Sequence, residues 1–196
     1  NYFVGANPRL LPLAEHNELH HIIESDRKKA QETISGYDST WIYMPTWRVG
    51  APDILSLAFP DLDALNSTLK QQNILLILKM HLYSKDVINN YSHIKLFPSE
   101  LDVYPFLSIV DVLITDYSSI AFDFDLKNEA KTIFYAYDLE EYLSTSSDGF
   151  YFDYNDVCNH NTIKDFSELL GIINKSDLQT YHLGEKISSA LWSNKD

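Results

Sequence analysis

Three short stretches of this chain carry side chains able to handle an anion or a proton, and each follows an apolar run. Thr115-Asp116-Tyr117-Ser118-Ser119 sets two adjacent hydroxyls behind Val110–Ile114. Ser118 suits the N-cap of a following helix, whose first amides lack internal partners and favour a phosphate. Neighbouring hydroxyls add donors that rotate to meet an anion. Lys79-Met80-His81 closes the run Ile74–Leu78, where an imidazole could donate to a phosphate oxygen or protonate a leaving phosphate. Pro45-Thr46-Trp47-Arg48 follows Trp41–Met44 and offers a hydroxyl and a planar guanidinium fork that matches phosphate. Each stretch also has a plainer structural reading. Ser118 can be a simple cap with Ser119 in water, His81 can bond a loop carbonyl, and Arg48 can stack on Trp47 at the surface.

The elements that must hold these residues alternate between two periodicities. Asn1–Gly5, Trp41–Pro45, Ile74–Met80, Ile94–Phe97, Val110–Asp116 and Thr132–Ala136 read as strands, with Phe150–Tyr154 as a last short extended piece. The run Ile74–Leu78 has no polar interruption, the pattern of a strand buried on both faces of a parallel sheet. Between the strands, His16–Ser35, Asp61–Gln72, Ser118–Leu126, Thr162–Ile173 and Leu178–Trp192 read as helices, and Leu101–Ser108 as a short helix or turn. Gly36 is the expected stop of the first helix. This alternation predicts an α/β class, Rossmann-like and doubly wound, with a mainly parallel sheet of about six strands. Residues 1–196 read as a single domain, with no internal repeat and no strong linker. Ligands of such sheets bind outside the carboxyl ends of the strands, where all three stretches fall.

Composition narrows the partners. The 196 residues carry a formal net charge of -13, against nucleic acid and against direct contact with an anionic membrane surface. A nucleotide remains admissible, because backbone amides and one or two local cations can hold a diphosphate. The single cysteine, Cys158, excludes an internal disulfide framework and a cysteine-rich zinc site. The adjacent His20 and His21 point to different sides of a helix and His160 stands alone, so no metal is assigned. The acidic run Asp138, Glu140, Glu141 reads as a solvated loop or first helical turn. No G-x-G-x-x-G, Walker loop or G-x-S-x-G elbow occurs, which disfavours NAD, ATP and the hydrolase elbow. No apolar run reaches the length of a membrane span.

The stretch Asp111-Val112-Leu113-Ile114-Thr115-Asp116-Tyr117-Ser118-Ser119-Ile120-Ala121-Phe122-Asp123-Phe124 resembles a block of the CDP-glycerol:poly(glycerophosphate) glycerophosphotransferases, the teichoic acid polymerases and primases. Ile133–Tyr142 and Gly149–Tyr154 are similar to the next two blocks. Upstream, Tyr43-Met44-Pro45-Thr46-Trp47-Arg48 resembles an aromatic-x-Pro-Thr-Trp-Arg block, and Gly5 with Pro8-Arg9 a Gly-x-Pro-Arg start. The resemblance covers about residues 1–155. It implies the carboxyl-terminal, donor-binding half of a GT-B fold, whose missing amino-terminal half would meet the polymer acceptor and supply a further catalytic histidine. The activity implied is transfer of glycerol phosphate from CDP-glycerol to a cell-surface polymer, with no cofactor required. In the family's pattern His81 is catalytic, and the donor-binding set is Thr46, Arg48, His81, Thr115, Asp116, Ser118, Ser119 and Asp123. The location implied is the cytoplasmic face of the cell membrane. Alternatives are the same fold with CDP-ribitol, CMP-sialic acid or a nucleotide sugar, and a non-catalytic nucleotide-binding or scaffold module. Two departures stand out: His81-Leu82 replaces His-Pro, and Val157–Thr162 replaces a Pro-Gly-Pro turn.

Overall fold

The computed structural model describes residues 20–48, 53–80, 88, 90–98, 101–145, 150–175 and 177–192. Among these residues six strands run in parallel as one sheet: β1 (Ser39–Tyr43), β2 (Ile74–Leu78), β3 (Ile94–Leu96), β4 (Val112–Thr115), β5 (Lys131–Tyr135) and β6 (Thr162–Ile163). Their order is β3-β2-β1-β4-β5-β6, the order of a doubly wound sheet. The expected α/β, Rossmann-like class is therefore the observed one. The sequence pattern explains why both faces are covered. All five residues of β2 are buried, and alternate ones enter opposite layers, Leu76 and Leu78 on one side and Leu75 and Ile77 on the other.

The first layer packs α2 (Ile54–Ala58), α3 (Leu62–Gln71) and α8 (Phe166–Lys175) on Trp41, Tyr43, Ile114, Ile133 and Tyr135. Asp61 caps α3, its carboxylate accepting from the Ala64 amide at 2.8 Å, and Leu65 and Leu69 form the buried stripe. The Tyr135 hydroxyl donates to the Ala58 carbonyl at 2.7 Å and ties α2 to β5. The second layer packs α1 (His20–Ile34), α4 (Val103–Leu107) and α5 (Ile120–Phe124) on Ile42, Leu113 and their neighbours. Gly36 ends α1 with φ +96, a left-handed turn that a side chain would strain. A smaller cluster beneath Phe134 gathers Ala121, Tyr154, Val157, Leu183 and Ile187, joining α5 to α7 (Tyr154–Val157) and α9 (Glu185–Leu191). Gly184 is needed there, because a Cβ would fall 1.8 Å from the Asp156 carbonyl oxygen.

Several expected boundaries move. Thr162 and Ile163 start no helix; they form the edge strand β6, and the helix begins at Phe166. Phe150–Tyr154 is not extended: Asp153 caps α7, which opens at Tyr154. Its aromatic density suggests a strand because such rings fit sheets, yet here they wall a cavity. Of Leu178–Trp192 only Glu185–Leu191 is helical. Residues 54–58 and 139–145 add the helices α2 and α6 (Leu139–Thr145). The predicted strand at Asn1–Gly5 lies outside the described residues.

Candidate functional site

Strand order reverses between β1 and β4, so a crevice opens where their carboxyl ends diverge. Asp116, the residue after β4, organises it. The side chain is fully buried, and Oδ1 accepts from the Thr46 amide at 2.8 Å, the Thr46 hydroxyl at 2.7 Å and the Tyr117 amide at 2.5 Å. Thr115, also buried, donates its hydroxyl to the Met44 carbonyl at 2.7 Å. Both residues thus join the β4 tip to the segment leaving β1. A buried carboxylate needs a counter-charge. Arg48 supplies it, with Nη2 2.8 Å from Asp116 Oδ2. That approach is a charge contact without the alignment of a hydrogen bond.

The rest of the Arg48 fork is also engaged. Nε donates to Asp138 Oδ2 at 2.6 Å, Nη2 to Asp138 Oδ1 at 2.8 Å, and Nη1 to the Thr46 carbonyl at 2.7 Å. Burial alone would lower the Arg48 pKa; the Asp138 hydrogen bonds and the Asp116 charge outweigh it and raise the pKa, so the guanidinium stays charged. Neither an open phosphate fork nor a stack on Trp47 is what Arg48 forms. Trp47 is 62% exposed, while the guanidinium lies 5.6 Å from the Tyr117 and Tyr137 ring centres and 5.9 Å from that of Tyr142. Burial, offset by the nearby Arg48 charge, pushes the Tyr137 phenol up to about 12, so it stays neutral at physiological pH.

In front of this network lies a cavity of about 390 Å3. Asp116, Tyr117, Ser118 and Ser119 form one wall, and Tyr142, Phe150, Tyr151, Phe152 and Tyr154 stand around it. Tyr117, Tyr142, Phe150 and Tyr154 form a series in which successive rings are near-parallel. Tyr117 stacks on Tyr142 with centroids 4.1 Å apart, and Phe150 stacks on Tyr154 at 5.2 Å. The Tyr154 hydroxyl donates to the Asp116 carbonyl at 3.1 Å, fixing the far ring to the β4 turn. Among the described lining residues there is no Lys or Arg, and Asp116 is charge-paired behind the wall. The cavity therefore offers hydroxyls and flat apolar faces, a surface for a ligand that combines a planar ring with polar oxygens.

The serines sit one step from their expected roles. Helix α5 begins at Ile120 with Ser119 in the cap position, yet Ser119 makes no side-chain cap bond and is exposed. Ser118, expected as the cap, accepts only weakly from the Ile120 amide at 3.4 Å. With five residues, α5 has little macrodipole, so any anion here would rely on hydroxyls and local amides. Asp123 accepts from the Tyr104 hydroxyl at 2.7 Å and does not line the cavity. His81 lies outside the described residues. The structure thus brings Thr46, Arg48, Thr115, Asp116, Ser118 and Ser119 together and turns Asp123 toward α4.

Sequence reasoning left out Asp138 and the aromatic wall. Asp138 precedes α6, whose first turn carries Glu140 and Glu141, so the acidic run is a helix start with one member drawn inward. The density of Tyr and Phe in residues 133–154 was a visible signal of the wall. The Arg48–Asp138 pair, 90 residues apart, had none. Among the described residues, no group of His, Cys, Asp and Glu is disposed to hold a metal ion. Nor, among them, is any helix long and apolar enough to cross a membrane.

A doubly wound parallel sheet with a polar crevice and an aromatic cavity at its switch point defines a Rossmann-like α/β unit. Its kinship is more specific than its fold. Residues 21–191 match the profile of the CDP-Glycerol:Poly(glycerophosphate) glycerophosphotransferase family, and the chain belongs to that family. The teichoic acid poly(ribitol-phosphate) polymerase of Bacillus spizizenii is 32% identical over 138 residues, 67% of this chain and 22% of that protein. The teichoic acid glycerol-phosphate transferase of Staphylococcus aureus is 34% identical over 117 residues, 58% of this chain and 30% of that protein. The teichoic acid poly(glycerol phosphate) polymerase of Bacillus spizizenii is 31% identical, over 76% of this chain and 38% of that protein. The chain therefore spans well under half of these curated relatives. Among solved structures, a variant of the wall teichoic acid polymerase TagF soaked with CDPG superposes with a TM-score of 0.70 at 23% identity, covering 96% of this chain and 45% of that one. That likeness carries the fold.

Proposed function

We propose that this chain is the donor-binding half of a GT-B glycerophosphotransferase, which moves glycerol phosphate from CDP-glycerol to a growing cell-envelope polymer. The observation that carries the reading is the pair Ser118–Ser119, set at the sheet's switch point on the wall of an aromatic cavity. The diphosphate meets the two hydroxyls and the local amides, and the cytosine ring lies among the aromatic faces. Thr46, Thr115, Asp116 and Arg48 hold the turn from behind. An acceptor hydroxyl attacks the β-phosphorus, forming a new P–O bond as the bridging oxygen leaves with CMP. The barrier is chiefly charge on phosphate oxygens, so placed donors lower it without a covalent intermediate or a cofactor. His81, three positions after the last residue of β2 in the sequence, is the catalytic group, stabilising or protonating the leaving phosphate. The acceptor would be met by a further domain, and the whole protein would work at the inner face of the cell membrane.

Relatives named for ribitol phosphate and for glycerol phosphate both match, so CDP-ribitol is the second donor to test. Calorimetric titration of this chain with CDP-glycerol, CDP-ribitol, CMP, CDP and UDP-GlcNAc separates the readings. Saturable binding confined to the cytidine ligands supports the donor site and ranks the alditols. Failure of every cytidine ligand at millimolar concentration, with the fold intact, contradicts it and favours a scaffold role. In the full-length enzyme His81→Ala lowers turnover at least about tenfold, a floor below the roughly hundredfold or greater loss usual for a proton-transfer group. Wild-type turnover in that variant removes His81 from the mechanism.

A further inference from the structure

Asp138 sits where β5 gives way to α6, and its two oxygens do different work. Oδ2 accepts from Arg48 Nε at 2.6 Å. Oδ1 accepts from Arg48 Nη2 at 2.8 Å and from the Tyr117 hydroxyl at 3.1 Å. Tyr117 is thereby held at both ends, its amide by Asp116 and its phenol by Asp138. Between those anchors its ring lies on Tyr142, tilted by only 19°. The next two residues are Ser118 and Ser119, and all four side chains line the same cavity, whereas Asp138 and Arg48 do not. With 14% and 10% of their side chains exposed, Asp138 and Arg48 face one another rather than a ligand.

We propose that Asp138, held by the Arg48 fork, is a positioning residue that anchors the Tyr117 hydroxyl and so sets the cavity wall and the Ser118–Ser119 turn. The ligand class it serves rests on the donor reading above: a planar base against Tyr117 and Tyr142, with an anionic group at the hydroxyls. A phenol released from Asp138 leaves the ring in the cavity but free to tilt off Tyr142. The serine turn, next in the chain, loses one of its two fixed ends. Asp138 acts through Tyr117 and touches no reacting atom.

The test uses Asp138→Asn, Tyr117→Phe and the double variant of this chain. Tyr117→Phe keeps the ring and removes only the anchored hydroxyl, so it carries the test even where Asp138→Asn folds poorly. Two readouts are taken: the Ser118 and Ser119 amide shifts of the unliganded, nitrogen-15-labelled protein, and the Kd for CDP by calorimetry. The expected result is displacement of both amides in each single variant. Each also binds CDP at least about fivefold more weakly, as losing a hydrogen bond to a charged group implies. The double variant is no worse than the weaker single one, because both remove one coupled interaction. Unmoved amides and wild-type affinity in Tyr117→Phe overturn the proposal and leave Asp138 as an ion-pair partner only. Where the wild-type chain binds no CDP, the donor reading fails on its own, and the amide shifts alone decide for or against positioning.

Discussion

Strand β4 is flanked by two aspartates that make nearly the same bonds, one to the start of β1 and the other to the segment leaving it. Before the strand, Asp111 Oδ2 accepts from the Ser39 hydroxyl at 2.9 Å and the Thr40 amide at 2.8 Å. After it, Asp116 Oδ1 accepts from the Thr46 hydroxyl and amide at 2.7 and 2.8 Å. Asp111 is exposed, and Asp116 is buried, with only 1% of its surface exposed. Water solvates the first carboxylate, so two short bonds suffice for it. The second has no water and must be neutralised from within the protein. Arg48 meets that need, and its remaining donors reach Asp138 and so tie in the β5 end as well. One strand pair therefore has a solvated clasp at one end and a charge-balanced platform joining three strand tips at the other. The platform is the end that carries the serine pair and the aromatic cavity.

The strongest way to break this contrast is Arg48→Ala. It leaves Asp116 and Asp138 without their cation, and the cost is about 3–5 kcal/mol in chemical denaturation. Stability near wild type would show that the network is dispensable. The two aspartates can then be compared directly. Asp116→Asn lowers stability by about 2 kcal/mol, whereas Asp111→Asn stays below about 1 kcal/mol. Equal losses erase the distinction between the ends. Ser119→Ala separates binding from folding. Its unfolding free energy stays within about 0.5 kcal/mol of wild type, while the Kd for a cytidine diphosphate rises about tenfold. A change in stability without a change in Kd makes Ser119 a structural residue.

The smallest effect tests a carboxylate with neither role. Asp53 caps α2, and its hydrogen bonds from the Ser56 hydroxyl and amide hold its pKa below the ordinary carboxylate value. Its contribution is fully present above the unfolded pKa of about 3.9 and is lost as pH falls through the lower folded value. Asp53→Asn keeps a capping side chain but cannot titrate. Neutral-pH stability changes by no more than about 0.5 kcal/mol, and the decline below about pH 4 becomes shallower. An unaltered acid limb removes Asp53 from the acid response.

Legibility in the sequence followed the range of the interaction. β1, β2, β4 and β5 were visible because strands buried on both faces must be apolar throughout, and Ile74–Leu78 admits no other reading at that length. Gly36 marked a helix end because a left-handed turn is local chemistry. The two-residue strand β6 was missed, since its place is set by pairing with Phe134 and Tyr135 rather than by its own pattern. Thr46, Asp116 and the serines could be placed at the strand ends from the sequence, because each follows an apolar strand run and parallel sheets put ligands there. Their division of labour was not. Whether Arg48 faces a ligand phosphate or a protein carboxylate depends on Asp138, which the fold alone brings within reach.

The central claim is that the platform end of β4 is the donor site. Titrating nitrogen-15-labelled chain with CDP-glycerol and following backbone amide shifts tests it most directly. The account predicts saturable shifts at Asp116–Ile120 and Phe150–Val157, with Ser39, Thr40 and Asp111 unmoved. Shifts elsewhere with Ser118 and Ser119 silent, or no shifts at saturating millimolar ligand, would contradict it.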